Sequence, residues 1–203
     1  MIESIENRIL TKIKKAGRGT VFFIDDFVSF GVAKTINKIL ERLSDRGEIA
    51  RVARGIYTRP QKSKLLGTTL TPPIETVAKA IARRDRARIV PTGAYALHVL
   101  GLSTQIPINA VYLTDGGARK IQIGKRTILF KKTAPKNLAA IGEISGPVIQ
   151  ALKVLEKDKV TQEEQQKVIA LLKKEDIVRL HHDIRLAPEW IRNIMKAALP
   201  ENQ

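Results

Sequence analysis

VAKTINKILERLSDRGEIARVARGIYTRP, residues 32–60, decides the fold. Its first half sets Ile36, Ile39, Leu40 and Leu43 at spacings of three and four, the apolar stripe of an amphipathic helix. Lys34, Thr35, Asn37, Lys38 and Arg42 fall mostly on its other faces. Gly47 ends the helix. Glu48–Arg54 and Gly55–Arg59 then alternate like two strands around a turn at Arg54-Gly55, and Pro60 stops the second.

Upstream, Ile2, Ile5, Ile9 and Ile13, with Leu10 alongside, give a first amphipathic helix, closed by Ala16-Gly17-Arg18-Gly19. Val21-Phe22-Phe23 reads as a short strand. Asp25 or Asp26 is suited to N-cap a short helix through Phe27 to about Phe30, because a carboxylate accepts the orphan amides of a first turn. No third metal ligand follows that pair at a suitable spacing. Helix, short strand, short helix, tight turn, longer helix and β-hairpin together predict a winged helix-turn-helix over residues 1–60. In that fold the third helix enters the major groove. Lys34, Thr35, Asn37 and Lys38 are then the candidate base and phosphate readers, and Arg51, Arg54 and Arg59 the candidate wing contacts. The same shape also serves protein contacts, so the fold alone does not settle the use.

Residues 61–73, polar with Pro72-Pro73 near the end, read as a linker. Residues 74–203 read as a second domain. A helix begins at Ile74 and leads into Arg83, Arg84, Arg86 and Arg88. Ile89-Val90 is a short strand, and Ala94–Leu100 a short helix. Residues 109–132 read as a meander of three strands, turning at Asp115-Gly116-Gly117 and Gly124-Lys125. From Asn137 the chain turns helical. Val148, Ile149, Leu152 and Leu155 form one stripe, and Thr161-Gln162-Glu163-Glu164 is a capping box. A last helix follows Pro188. The expected class is α+β: the winged helix, then an α+β domain with a small antiparallel sheet and a helical C-terminal tail.

The 203 residues carry 36 Lys and Arg against 20 Asp and Glu, a formal charge of +16. The excess is concentrated in residues 61–135, which hold 13 bases and 3 acids. Such a balance points to a polyanionic partner. A nucleic-acid surface of the second domain would use Arg83, Arg84, Arg86, Arg88, Arg119, Lys120, Lys125, Arg126, Lys131 and Lys132. The absence of cysteine excludes disulfides, thiolate zinc sites and cysteine nucleophiles. Nothing resembles a signal peptide or an apolar membrane span, so a cytoplasmic protein is expected.

Catalytic constellations are scarce. His98 sits in a short apolar helix and reads as a core or rim residue. His181-His182-Asp183 is the most ligand-like cluster, but adjacent helical residues do not share a face. Asp115 with Gln122 and Lys125 faintly follows nuclease strands, yet Gln122 stands where a second carboxylate is needed. No catalytic residue, metal or cofactor is expected.

Several segments resemble the AbiEi-like antitoxins of bacterial type IV (abortive infection) toxin–antitoxin systems. They are Arg18–Phe23, Asp26-Phe27 through Gly31, Leu40–Leu43, Gly47–Arg51 and Gly55–Tyr57. In the second domain they are Pro91–Leu97, Leu100–Gln105, Val111–Gly116 and Phe130–Lys132. The likeness spans residues 1–155 and leaves out the helices after Glu156. It implies a phage-defence antitoxin that represses its own operon, as two copies on an inverted repeat of operator DNA. It also implies a second domain that neutralises a nucleotidyltransferase-like toxin; blocking the toxin, reversing its modification and covering its RNA target all stay open as the way it does so. Two other readings remain: a winged-helix regulator with a ligand-sensing second domain, and a winged-helix-targeted nuclease using Asp115 and Glu75.

Overall fold

A computed structural model describes residues 4–62 and 67–200. Ile2 of the first apolar stripe and the middle of the expected linker lie outside them. The protein is a mixed α+β chain of two compact units. One comprises the chain up to Ile81 together with Gln122–Gly124. The other comprises Ala82–Ile121 and the chain from Lys125 onward. Among the described residues, no helix is long and apolar enough to cross a membrane.

The first unit runs α1 (Ile5–Lys15), β1 (Val21–Phe23), a 3-10 helix (Ile24–Phe30), α2 (Ala33–Asp45), β2 (Ala50–Ala53) and β3 (Ile56–Thr58). Ser4 caps α1 by accepting the Asn7 amide at 3.2 Å. The 3-10 helix begins at Ile24, earlier than the sequence suggests, so both aspartates lie inside its first turn. Asp26 reaches back to accept the Phe23 amide at 2.7 Å. β3 pairs antiparallel with both β1 and β2, in the order β1-β3-β2. Gly55, at φ +70°, takes the left-handed conformation that joins β2 to β3. Ile9, Ile13, Phe27, Ile36, Leu40, Leu43 and Tyr57 are buried together and form the core. Glu6 binds Arg46 and lies 3.1 Å from Arg42, tying α1 to the end of α2.

A short hairpin of β4 (Gln61–Lys62) and β5 (Thr69–Leu70) follows, then α3 (Ile74–Arg84), within which the division of units falls. The chain continues with β6 (Ile89–Pro91), α4 (Gly93–Val99), β7 (Asn109–Thr114), β8 (Arg119–Ile123) and β9 (Arg126–Lys132), all in the second unit except the last two residues of β8. The strand order is β6-β7-β9-β8. β6 and β7 are antiparallel, but β7 and β9 are parallel, with Tyr112 opposite Phe130. The expected meander is therefore corrected. Asp115-Gly116-Gly117 is not a hairpin turn: it carries the chain across to the outer strand β8, and β9 returns between β8 and β7. Tyr95, Tyr112 and Phe130 pack as an aromatic row, with centroids 5.4 and 5.9 Å apart.

After a 3-10 turn at Pro135–Leu138 come α5 (Ser145–Leu155), a 3-10 turn at Lys157–Lys159, α6 (Gln162–Leu172), α7 (Ile177–Ile184) and α8 (Glu189–Lys196). Thr161 and Glu164 form the expected capping box on α6. The residues after Glu156 are helical, as expected, and they pack into the unit. Val168, Leu172, Leu180, Ile184, Ile191 and Met195 share one core with Val148, Ile149 and Leu152 of α5.

α7 also ties itself to the start of α5. Asp183 is fully buried and accepts the amides of Ile141 and Gly142, both at 2.9 Å, and the Ser145 hydroxyl at 2.5 Å. His182 Nδ1 lies 2.7 Å from the same carboxylate. Burial pushes the Asp183 carboxyl up, but the Ser145, His182 and amide hydrogen bonds outweigh it and hold the group below its ordinary value. Glu175 accepts the Ile144 amide at 2.7 Å and the Ser145 amide at 3.1 Å. A methyl group on Gly142 would overlap Ser145 Oγ and Glu175 Oε2, so the loop closes only around glycine.

Candidate nucleic-acid interface

In the first unit, burial of Ile36, Ile39, Leu40 and Leu43 turns the opposite face of α2 to solvent. Lys34, Thr35 and Lys38 are exposed on it, and neither lysine is ion-paired to a described residue. Val32, just before the helix, is 70% exposed. Asn37 is half-buried, and its amide nitrogen donates to Glu41 Oε1 at 3.0 Å. That bond uses one of the two amide hydrogens and turns the carboxamide with which an asparagine would read adenine toward Glu41.

On the β2–β3 hairpin, Arg51 and Arg54 are exposed. Arg59 is placed differently from its expected wing role. It is half-buried, its guanidinium donates to the Ala16 carbonyl at the end of α1, and its amide donates to Thr20 O at 3.1 Å. A cation on the terminal carbonyls of a helix is favourable there. Arg59 thus closes α1 against the sheet, leaving Arg51 and Arg54 as the exposed hairpin arginines.

The sequence reading passed over Arg8, Lys12 and Lys15. They line a shallow groove with Thr11 and Phe30. The Arg8 guanidinium stands 4.5 Å from the Phe30 ring centre and the Lys12 ammonium 5.4 Å, within reach of the ring's negative face. The spacing of four and three along α1 was the available signal.

In the second unit, strand direction sorts the basic residues. β6 starts, β7 ends, β9 ends and β8 starts at the same end of the sheet. Ile89 opposes Thr114, Thr114 opposes Lys132, and the tight Gly124-Lys125 turn makes β8 antiparallel to β9. Arg88, Arg119, Lys120, Lys131 and Lys132 therefore converge at that end, with the Arg83–Arg86 turn leading directly into it. Lys125 and Arg126 lie at the opposite end of the sheet, apart from the other eight.

The carboxylates at the basic end are already engaged. Asp115 accepts the Arg88 amide at 2.7 Å and its guanidinium at 2.8 Å. The Arg88 side chain, and after it the Arg88 amide, hold the Asp115 carboxyl below its ordinary value. Asp85 sits between Arg84, at 2.8 Å, and Arg119. Arg119 also lies 5.4 Å from the centre of the Phe130 ring. Burial, and then the nearby Arg84 charge, lowers the Arg119 pKa. Arg83, Arg86, Lys120, Lys131 and Lys132 remain exposed.

The candidate catalytic residues do not assemble. Glu75 pairs with Lys79 at 2.7 Å. Asp183 faces the amides of the loop before α5, and His98 Nδ1 is buried without a hydrogen-bond partner among the described residues. Among the described residues, no three His, Cys, Asp or Glu side chains come together as a metal site.

The chain has two α+β units, with exposed cations on a helix-and-hairpin face of one and at a sheet end of the other. By sequence it belongs to DUF6088, a family of unknown function, which it matches over residues 8–180. The match takes in α6 and half of α7, beyond the segments that resemble antitoxins. No curated protein matches the chain.

Proposed function

We propose that the protein is a DNA-binding antitoxin of the abortive-infection type. Its first unit is a winged helix-turn-helix that binds operator DNA and represses its own operon. The observation that carries the DNA reading is the face of α2: Lys34, Thr35 and Lys38 stand exposed beside the β2–β3 hairpin, whose Arg51 and Arg54 are also exposed. The element order and the β1-β3-β2 sheet support the winged helix, with the 3-10 helix and α2 as its two helices. Two such units on an inverted repeat would set half-sites one helical turn, or a multiple of it, apart.

The antitoxin part of this reading rests on the resemblance of the quoted segments. The partners it implies are operator DNA, a nucleotidyltransferase-like toxin, and RNA if neutralisation works by covering the toxin's substrate. A nuclease has less support, because Asp115 is bound twice by Arg88 and Glu75 is bound by Lys79. The antitoxin role is tested by co-expressing the protein with the product of its neighbouring gene. Rescue of growth supports it, and growth arrest despite the soluble protein contradicts it.

A further inference from the structure

We infer that the turn Arg83–Arg88 is a preformed phosphate-binding site of the second unit, which grips the backbone of a nucleic acid independently of α2. This rests on the nucleic-acid reading above and adds a second contact surface to it.

The turn has the hydrogen bonds of a Schellman motif. The Ala87 amide donates to the Ala82 carbonyl at 2.9 Å, and the Arg86 amide donates to the Arg83 carbonyl at 3.2 Å. Arg86 therefore occupies the position after the helix cap and is left-handed, with φ +52°. Glycine is the residue suited to that position, and a side chain there costs stability. Nothing inside the unit explains the arginine. It is exposed and in no ion pair with a described residue. A strained cation on the surface is expected where the cation itself is used.

The surroundings hold the turn still. The Arg88 amide and guanidinium are fixed on Asp115, and the Arg88 carbonyl accepts the Thr114 hydroxyl at 2.9 Å. Ala87 packs so closely on Gly116 that a Cβ there would come within 2.8 Å of the Ala87 methyl. Arg84 and Arg119 neutralise Asp85. With both acids of this corner engaged, Arg83 and Arg86 point their charge outward, beside the end of the sheet that carries Lys120, Lys131 and Lys132. Two exposed guanidinium forks carried on a fixed turn, with flanking lysines, suit successive phosphodiesters.

The test uses the full chain, with a short mixed-sequence DNA duplex and a single-stranded RNA of equal length as probes. Anisotropy titrations run between about 50 and 200 mM salt. Arg86→Gly is expected to melt a few degrees higher and to bind several-fold more weakly. Arg83→Gln with Arg86→Gln should lower the salt slope by about two on DNA, or about 1.4 on RNA. The probe that responds identifies the source of the phosphates. Unchanged affinity and slope on both probes in both variants would overturn the proposal, as would an Arg86→Gly protein no more stable than wild type. Lys34→Ala with Lys38→Ala keeps this failure distinct from that of the DNA-repressor reading. That pair should reduce preference for the upstream sequence over a scrambled one, whereas Arg86→Gly leaves the preference unchanged.

Discussion

Asp183 on α7 accepts the amide of Gly142 at 2.9 Å from 41 residues further along the chain, and is itself fully buried. Together with Glu175, which accepts the Ile144 and Ser145 amides, this carboxylate fastens the second unit's helical half to the start of α5. Asp183→Ala leaves two amides and the Ser145 hydroxyl without their acceptor. At about 1–3 kcal/mol for each buried donor, a loss of about 3 kcal/mol or more is expected in urea unfolding. A loss below about 1 kcal/mol would show that water replaces the carboxylate freely.

The same group sets an acid limit. Its folded pKa lies below the ordinary 3.8. Its contribution is therefore complete above that value and is lost as pH falls through the folded pKa. Unfolding free energy measured from pH 5 down to pH 2 should fall more steeply for wild type than for Asp183→Asn. Parallel curves would contradict this.

Gly142→Ala tests the closeness of the loop. The added methyl meets Ser145 Oγ and Glu175 Oε2, both engaged in fixed hydrogen bonds. A destabilisation of about 1–3 kcal/mol is expected. Gly117→Ala, with open space around it, is the control and should stay within about 0.5 kcal/mol.

Much of the first unit was legible because its signals are local. The stripe of Ile36, Ile39, Leu40 and Leu43 and the alternation around Arg54-Gly55 are each complete within a few residues. The parallel pairing of β7 with β9 was not, since Gly116-Gly117 looks like a hairpin turn whether or not the next strand is the neighbour. That pairing brings Lys131 and Lys132 beside Arg88 and sends Lys125 and Arg126 to the other end. The structural role of Asp183 is not legible in the sequence because its partners lie 38–42 residues away, and Arg59 reads as a wing residue because the Ala16 carbonyl it binds is 43 residues upstream.

Arg54 and Arg59 should separate on mutation. Arg54→Ala removes an exposed hairpin cation and should lower the salt slope of DNA binding by about one, with melting unchanged. Arg59→Ala loses the bond to Ala16 and should cost about 1 kcal/mol of stability. Equal effects on binding and stability in both variants would contradict the distinction.

Asn37 should respond to its neighbour. Glu41→Ala removes the acceptor at 3.0 Å and frees the Asn37 amide. If Asn37 reads a base, Asn37→Ala costs about 1–3 kcal/mol on the specific site and little on random DNA. Equal losses on both would assign Asn37 to the helix surface alone.

The most direct measurement is a gel-shift titration of the full chain on the DNA upstream of its own gene and on a scrambled duplex, at two salt concentrations. If α2 enters the major groove as proposed, its exposed Lys34, Thr35 and Lys38 predict tighter binding to the upstream sequence at both salts. Equal, steeply salt-dependent binding to the two duplexes would contradict operator recognition and reduce the +16 charge to a general hold on polyanions.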